Sequence, residues 1–331
     1  IDSLGRKGRH VGYMTGSPVK NDRSEIFDQL AKVAPHKYGN GEGKLGRAEF
    51  LRRYGAGTSA SEAALRRELS QWSFINPTSA GTTPNYHHEV LQPSQAQTDR
   101  FSQIDSAYSD ARRARVGGDI DHGAIRQLAP RAFEGADEAD HDEIAGRLHG
   151  TLGMAREAAY NHAANQHADN KKMDRAIALA DQYRRQGRGA GVIFARNRSA
   201  VADYKKKLEA AGHKVVTITG SDTSEAKGIA KDKFADGEHI AVMSDAGATG
   251  ANMQTGSWLI HHDVPQTYMT WDQRTARVNR LGQNYQSPDI HTLTLDHPWE
   301  HRNMERLERK RALHESLFDG ANERLDDTGL A

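Results

Sequence analysis

The feature that most limits the fold is an alternation in the second half of the chain. From about residue 190, short and mostly apolar runs recur: GVIFA (191–195), KVVTI (214–218), HIAVM (239–243), WLIH (258–261) and IHTLTL (290–295). Runs this short and this apolar suit strands buried on both faces. The stretches between them carry helical patterns. Val201, Tyr204, Leu208 and Ala211 fall on one face, a second helix is capped around Ser221 to Ser224, and a third is expected over 266–281. Buried strands joined by crossover helices define a doubly wound parallel α/β sheet. Such sheets bind ligands beyond the carboxyl ends of their strands. The loops 195–198, 219–223 and 244–252 are therefore where a site is expected.

The rest of the chain is organised differently. Residues 1–34 hold one strand pattern, HVGYMT, a turn, and a helix pattern through Ile26, Phe27, Leu30 and Val33. Residues 35–169 read as a mostly helical inserted and linking region with one short strand (87–92). Residues 170–298 carry the α/β alternation, and 299–331 begin with a long charged helix. The N-terminus lacks an initiator Met and a signal-peptide h-region, so the chain reads as part of something longer.

Composition narrows the chemistry. Among 331 residues, 45 Lys and Arg face 44 Asp and Glu, so any nucleic-acid binding must come from a local patch. There is no cysteine, which excludes disulfides, thiolate zinc sites and Cys nucleophiles and is compatible with a reducing compartment. No apolar run is long enough to span a membrane. A cytoplasmic setting without membrane contact is the expectation.

The segment DQRTARVNRLGQN (272–284) puts Arg277 and Arg280 three residues apart, on one face of the expected helix. Guanidinium groups bind phosphate oxygens in pairs and keep their charge when partly desolvated. Alone, that spacing describes many solvated surfaces. Here it follows SDAGATGANMQ (244–254), where Gly247, Gly250 and Asn252 allow a close backbone approach to a ligand.

At these residues the chain resembles the second RecA-like lobe of superfamily 2 helicases, specifically Swi/Snf-type ATP-dependent DNA translocases. QRTARVNRLGQ resembles motif VI, with Gln273, Arg277 and Arg280 matching and Ala276 where many relatives have Gly. SDAGATGANMQ resembles motif V, and VIFARN (192–197) resembles motif IV. MTGSPVKN (14–21), with Thr15, Gly16, Ser17 and Pro18, resembles motif III with Ser17 in place of a Thr. HHEVLQPSQAQTDRFSQI (87–104) resembles the stretch between the lobes. The spacing from Asp263 to Arg277 is closer to bacterial and phage members than to chromatin remodellers.

The resemblance implies a site and partners. Arg277 and Arg280 would be arginine fingers and Gln273 their neighbour, with Gly247, Gly250 and Asn252 beside ATP. Contacts to the backbone of double-stranded DNA would come from Arg196, Asn197, Thr219, Gly220, Ser221, Ser244 and Ala246. Motif III would couple the lobes. No G-x-x-x-x-G-K-[ST] occurs, nor an Asp-Glu-x-His run, so ATP and Mg²⁺ would be held mainly by a first RecA-like lobe upstream. This chain alone is expected not to hydrolyse ATP. The alternative is a RecA-like module retained for DNA binding or protein docking.

Three other patterns carry less. GEGKLG (41–46) fits a dinucleotide fingerprint but follows no buried strand. HPWEH (297–301) fits a zinc-peptidase spacing and raises a zinc hydrolase built on His297, Glu300 and His301, yet Pro298 suits a helix start that puts His297 off the regular face. The 17 histidines offer no clean ligand spacing, so no structural metal is expected.

Overall fold

The structure, a computed structural model, describes residues 23–69, 83–165, 168–247, 253–279, 283 and 285–318. These fall into two compact units, one within 82–264 and 274–302, the other within 1–81, 265–273 and 303–331.

The larger unit is built on a six-stranded parallel sheet. Its strands are β1 (Asn85–Leu91), β2 (Gly191–Phe194), β3 (Lys214–Ile218), β4 (His239–Met243), β5 (Trp258–His261) and β6 (Asp289–Leu295), in the order β1-β6-β5-β2-β4-β3. Every residue of β2, β5 and β6 is buried, as the apolar runs require. The expected doubly wound sheet is present.

The short early strand belongs to this sheet. β1 pairs with β6 along its whole length, from Asn85 beside Asp289 to Leu91 beside Leu295. The compact unit therefore starts well before residue 170, where the sequence pattern placed the boundary. Backbone pairing recruits the expected short strand, whose polar composition, NYHHEVL, does not show that it joins this sheet.

The helical region packs onto the same unit. Helix α4 (Gln95–Gly117) opens with a reciprocal capping box between Ser94 and Gln97 and closes at Gly118 in the left-handed region (φ 86°). With α5 (His122–Leu128), α6 (His141–Gly150) and α7 (Leu152–Asn165) it buries Phe101, Ile104, Ile125 and Tyr160 together with Leu295 and Trp299. Next come α8 (Lys171–Arg185), α9 (Arg198–Ala210) and α10 (Ser224–Phe234). Val201, Tyr204 and Leu208 face the core as their spacing predicts, whereas Ala211 is the C-cap of α9. Thr223 caps α10, its hydroxyl accepting from the Ala226 amide.

The second unit contains α1 (Ser24–Val33), α2 (Arg47–Tyr54) and α3 (Ser59–Leu69) around Phe27, Tyr38, Phe50 and Leu65. The GEGKLG stretch lies here between Tyr38 and α2, and among the described residues the element ahead of it is the helix α1, not the strand that a dinucleotide fingerprint follows. Motif III, at Thr15 to Pro18, lies outside the described residues.

Helix α11 (Tyr268–Thr275) is shorter than the expected 266–281, with a turn at 276–278. Thr275 and Arg274 are buried, and the Arg277 amide bonds to the Arg274 carbonyl, which tightens the end of the helix. Helix α12 (Pro298–Phe318) is the expected long charged helix, with Pro298 at its first position. Among the described residues, no helix is long and apolar enough to cross a membrane.

Candidate functional site

The strand order sets where the site lies. β2 has β4 on one side and β5 on the other, so the chain reverses its direction of winding there. The register aligns their ends, with Phe194 of β2 level with Met243 of β4 and His261 of β5. Two residues further along each strand stand Arg196, Asp245 and Asp263. The loops after three strands thus leave the sheet side by side at the switch point, the crevice where open α/β sheets bind ligands.

Arg274 binds those loops together. Its Nε and Nη2 donate to the two carboxylate oxygens of Asp245, at 2.6 and 2.9 Å. Nη2 also donates to Asp263 Oδ1 at 3.0 Å, and Nη1 to the Asp263 carbonyl at 3.2 Å. The other Asp263 oxygen accepts the Arg196 amide at 2.6 Å. The guanidinium carbon lies 5.2 Å from the Phe194 ring centroid. The side chains of Arg274 and Asp263 are each 3% exposed, that of Asp245 37%.

The electrostatics follow from this packing. Burial pushes the Asp263 carboxyl up, but Arg274, His262 and the Arg196 amide outweigh it and hold the group below its ordinary range. Burial likewise works against the charge on Arg274, and its two carboxylates more than restore it.

Behind the clamp, His262 is buried between two elements. Its Nε2 lies 2.9 Å from the Asn165 carbonyl, which can only accept, so Nε2 carries the proton and Nδ1 accepts the Tyr204 hydroxyl at 2.8 Å. Burial, reinforced by Lys172, pushes this imidazole down to about 4.

The residues expected from sequence meet different fates. Gln273 is exposed near the end of α11, and Arg277 is half-buried in the turn beyond it, not on the helix face. Its carbonyl accepts the Met253 amide at 3.1 Å, tying the end of the glycine-rich loop to the arginine segment. Arg280, Gly250 and Asn252 lie outside the described residues.

Gly247 has a packing role of its own. A Cβ there would stand 2.3 Å from the Ile218 carbonyl oxygen, and one at Gly220 2.8 Å from Ala246 Cβ. These glycines let the loops after β3 and β4 approach each other. Ser244 is buried, and its hydroxyl accepts the Gly247 amide at 3.3 Å, so it shapes the loop from within. The Thr219 and Ser221 hydroxyls lie 3.0 Å apart, with Ser221 exposed. Arg196 is also exposed, while Asn197 donates its side-chain amide to Asn161 of α7 at 3.1 Å. Arg196, Ser221 and Ala246 therefore remain on the surface of this edge.

Sequence reasoning missed Arg274, Asp245 and Asp263. The signal available was their position, each acid two residues past a buried run, but nothing local says that one cation serves both.

The zinc spacing does not assemble. His297 stacks on Phe101 with ring centroids 4.0 Å apart, Glu300 pairs with Lys172, and His301 faces Asp296 at 3.3 Å. Among the described residues no group of His, Asp and Glu is arranged to hold a metal ion.

Comparison with known proteins shows what this edge is similar to. Residues 171–282 match the model of the helicase conserved C-terminal domain. Over these residues the chain is thus similar to the C-terminal domain of helicases. It is 28% identical over 109 residues to the ATP-dependent RNA helicase DBP5 of Ajellomyces capsulatus, a match covering 28% of this chain and 22% of that protein. A similar match, 28% over 106 residues, covers 22% of ATP-dependent RNA helicase dbp-5 of Neurospora crassa. The chain thus matches about a fifth of the length of these curated relatives. Among solved structures, the C-terminal part of the Fun30 ATPase domain superposes with a TM-score of 0.51 at 13% identity, over 73% of this chain and 99% of that one. That likeness concerns the fold.

Proposed function

We propose that this chain is the C-terminal motor portion of an ATP-dependent translocase of the Swi/Snf type that tracks double-stranded DNA by its backbone. The observation that carries the reading is the meeting of the loops after β2, β4 and β5 with the arginine segment at one sheet edge. Arg196, Ser221 and Ala246 line the exposed side of that edge, where sequence-independent phosphate contacts form. By donor chemistry, the Gln273 amide at the end of α11 and the Arg277 guanidinium in the turn beyond it each suit a phosphate oxygen.

ATP, with Mg²⁺ to neutralise its phosphates, would be held mainly by a first RecA-like lobe, and its phosphoanhydride would supply the free energy. Arg277 and Arg280 stabilise charge on the transferring phosphoryl group from this side, and Gln273 orients there. Without a phosphate-cradling lobe the two arginines have nothing to act on, so the chain alone is inactive.

A second reading exchanges the polymer. The curated relatives are named RNA helicases, which favours RNA as the track. The test is ATP hydrolysis by the full-length natural protein on duplex DNA, single-stranded DNA and RNA, with Arg277→Ala and Arg280→Ala. Duplex-stimulated hydrolysis falling by about three to five orders of magnitude in either variant supports the proposal. Stimulation by RNA alone moves the assignment to an RNA motor. Hydrolysis indifferent to both arginines, or absent on every polymer, leaves a binding module.

A further inference from the structure

The clamp at the switch point is not needed to hold a strand in place, because β2, β4 and β5 are already paired along their lengths. What it joins are the segments beyond the strands. Asp263 takes the Arg196 amide with one carboxylate oxygen and Arg274 with the other. Arg274 spends its remaining fork on both oxygens of Asp245. Three residues on, the Arg277 amide bonds to the Arg274 carbonyl, and the Arg277 carbonyl receives Met253. One buried cation thus fixes the loop after β2, the loop after β4 and the base of the Arg277 turn.

We infer that Arg274, with Asp245 and Asp263, is a coupling clamp that transmits nucleic-acid binding at the loops after β2 and β4 to the position of Arg277. Arg274 is a positioning residue; it works through two carboxylates, and its burial keeps it from phosphate. This rests on the nucleic-acid reading of that edge.

The physical case is one of geometry and stiffness. A guanidinium is planar with donors in fixed directions, so four hydrogen bonds to two acids leave it one orientation. A displacement of Asp245 by a ligand on its loop must move Arg274 or break a charge-assisted pair in a buried setting, and breaking is the costlier course. Asp245 is the part of the clamp that reaches the surface, so it is where the signal enters. Lysine cannot reproduce the arrangement, since a single ammonium has no fork with which to span both acids.

The experiment is amide hydrogen exchange on the full-length natural protein with and without a duplex DNA or RNA oligonucleotide. Wild type is compared with Asp245→Asn and Arg274→Lys, and thermal unfolding checks that each variant folds. In wild type, oligonucleotide should slow exchange in the loops 196–198 and 244–247 and also in 274–279. In Asp245→Asn, which keeps the shape of the side chain and leaves Arg274 its Asp263 partner, loop protection should persist. Protection of 274–279 should fall at least about fivefold, and the ratio of stimulated to basal ATP hydrolysis should fall with it. Arg274→Lys should behave alike despite its conserved charge.

Transmission to 274–279 equal to wild type in both variants overturns the coupling, as does loop protection without transmission in wild type. No protection of any loop in wild type overturns the nucleic-acid reading beneath it and the coupling as well.

Discussion

Lys172 and Glu300 meet at 3.1 Å with side chains 0% and 1% exposed, although 128 residues separate them in the chain. Lys172 stands in the first turn of α8 and also donates to the Asn165 side chain at the end of α7. Glu300 stands in the first turn of α12. The pair therefore joins the helical region, the sheet's covering helix and the long C-terminal helix at one buried point.

Such a pair contributes less to stability than its geometry implies, because both ions lost their hydration to reach it. Burial pushes the Glu300 carboxyl up, and Lys172 offsets only part of that. Removing one partner strands the other charge in an apolar setting. Lys172→Met or Glu300→Leu alone should cost about 3–5 kcal/mol, and the double variant should recover most of it. Urea unfolding followed by circular dichroism measures both. A double variant as unstable as the worse single one would show that the ion pair itself, rather than the stranded charge, holds the helices.

The pair also marks the limit of what the sequence made legible. Five of the six strands were visible because burial on both faces leaves almost no polar residue in runs such as GVIF and WLIH. The helix-face pattern through Val201, Tyr204 and Leu208 was visible for the same reason. β1 was visible as a strand, but its membership in the sheet was not, because an edge strand is defined by its partner. The end of α11 was misjudged since Arg274 and Thr275 satisfy helical spacing while their side chains are drawn inward by Asp263 and His261. Electrostatic partners such as Arg274 with Asp245, or Lys172 with Glu300, are facts of tertiary structure that no local pattern records.

Acid should unfold this protein through its buried imidazoles. The His262 value lies at about 4 against an ordinary 6.5, so the folded state binds fewer protons than the unfolded state between those limits. Stability is therefore fully present above about 6.5 and is lost as the pH falls towards about 4. Burial also lowers His213, His261, His291 and His297, which add in the same direction. His262→Gln keeps a side-chain N–H for the Asn165 carbonyl but cannot be protonated. Between about pH 7 and about pH 5 the wild type should lose about 2 kcal/mol more than this variant. Parallel stability curves for the two proteins would mean that His262 is solvated.

Two glycines test the sheet and its loops separately. Neither has a positive φ, so the cost of a side chain is steric rather than conformational. A Cβ on Gly191 would stand 2.0 Å from the Trp258 ring. That ring cannot retreat, because it stacks on Tyr183 with centroids 5.4 Å apart and its indole N–H bonds to the Arg188 carbonyl at 3.0 Å. Gly191→Ala should therefore cost about 3 kcal/mol of global stability or prevent folding, as overpacking of a rigid core does. At Gly247 the nearest obstacle is the Ile218 carbonyl at the end of β3, 2.3 Å from the added carbon, followed by Thr219 Cα of the loop at 2.7 Å. Only the end of β3 and the loops beyond it need to part there, so, on the nucleic-acid reading proposed above, Gly247→Ala should weaken oligonucleotide binding at least about tenfold while lowering the melting temperature much less than Gly191→Ala. Parallel measurements of melting temperature and oligonucleotide affinity separate the two effects. If Gly247→Ala melts as early as Gly191→Ala, the two loops are part of the cooperative core, and the exposed edge they form is more rigid than a surface site requires.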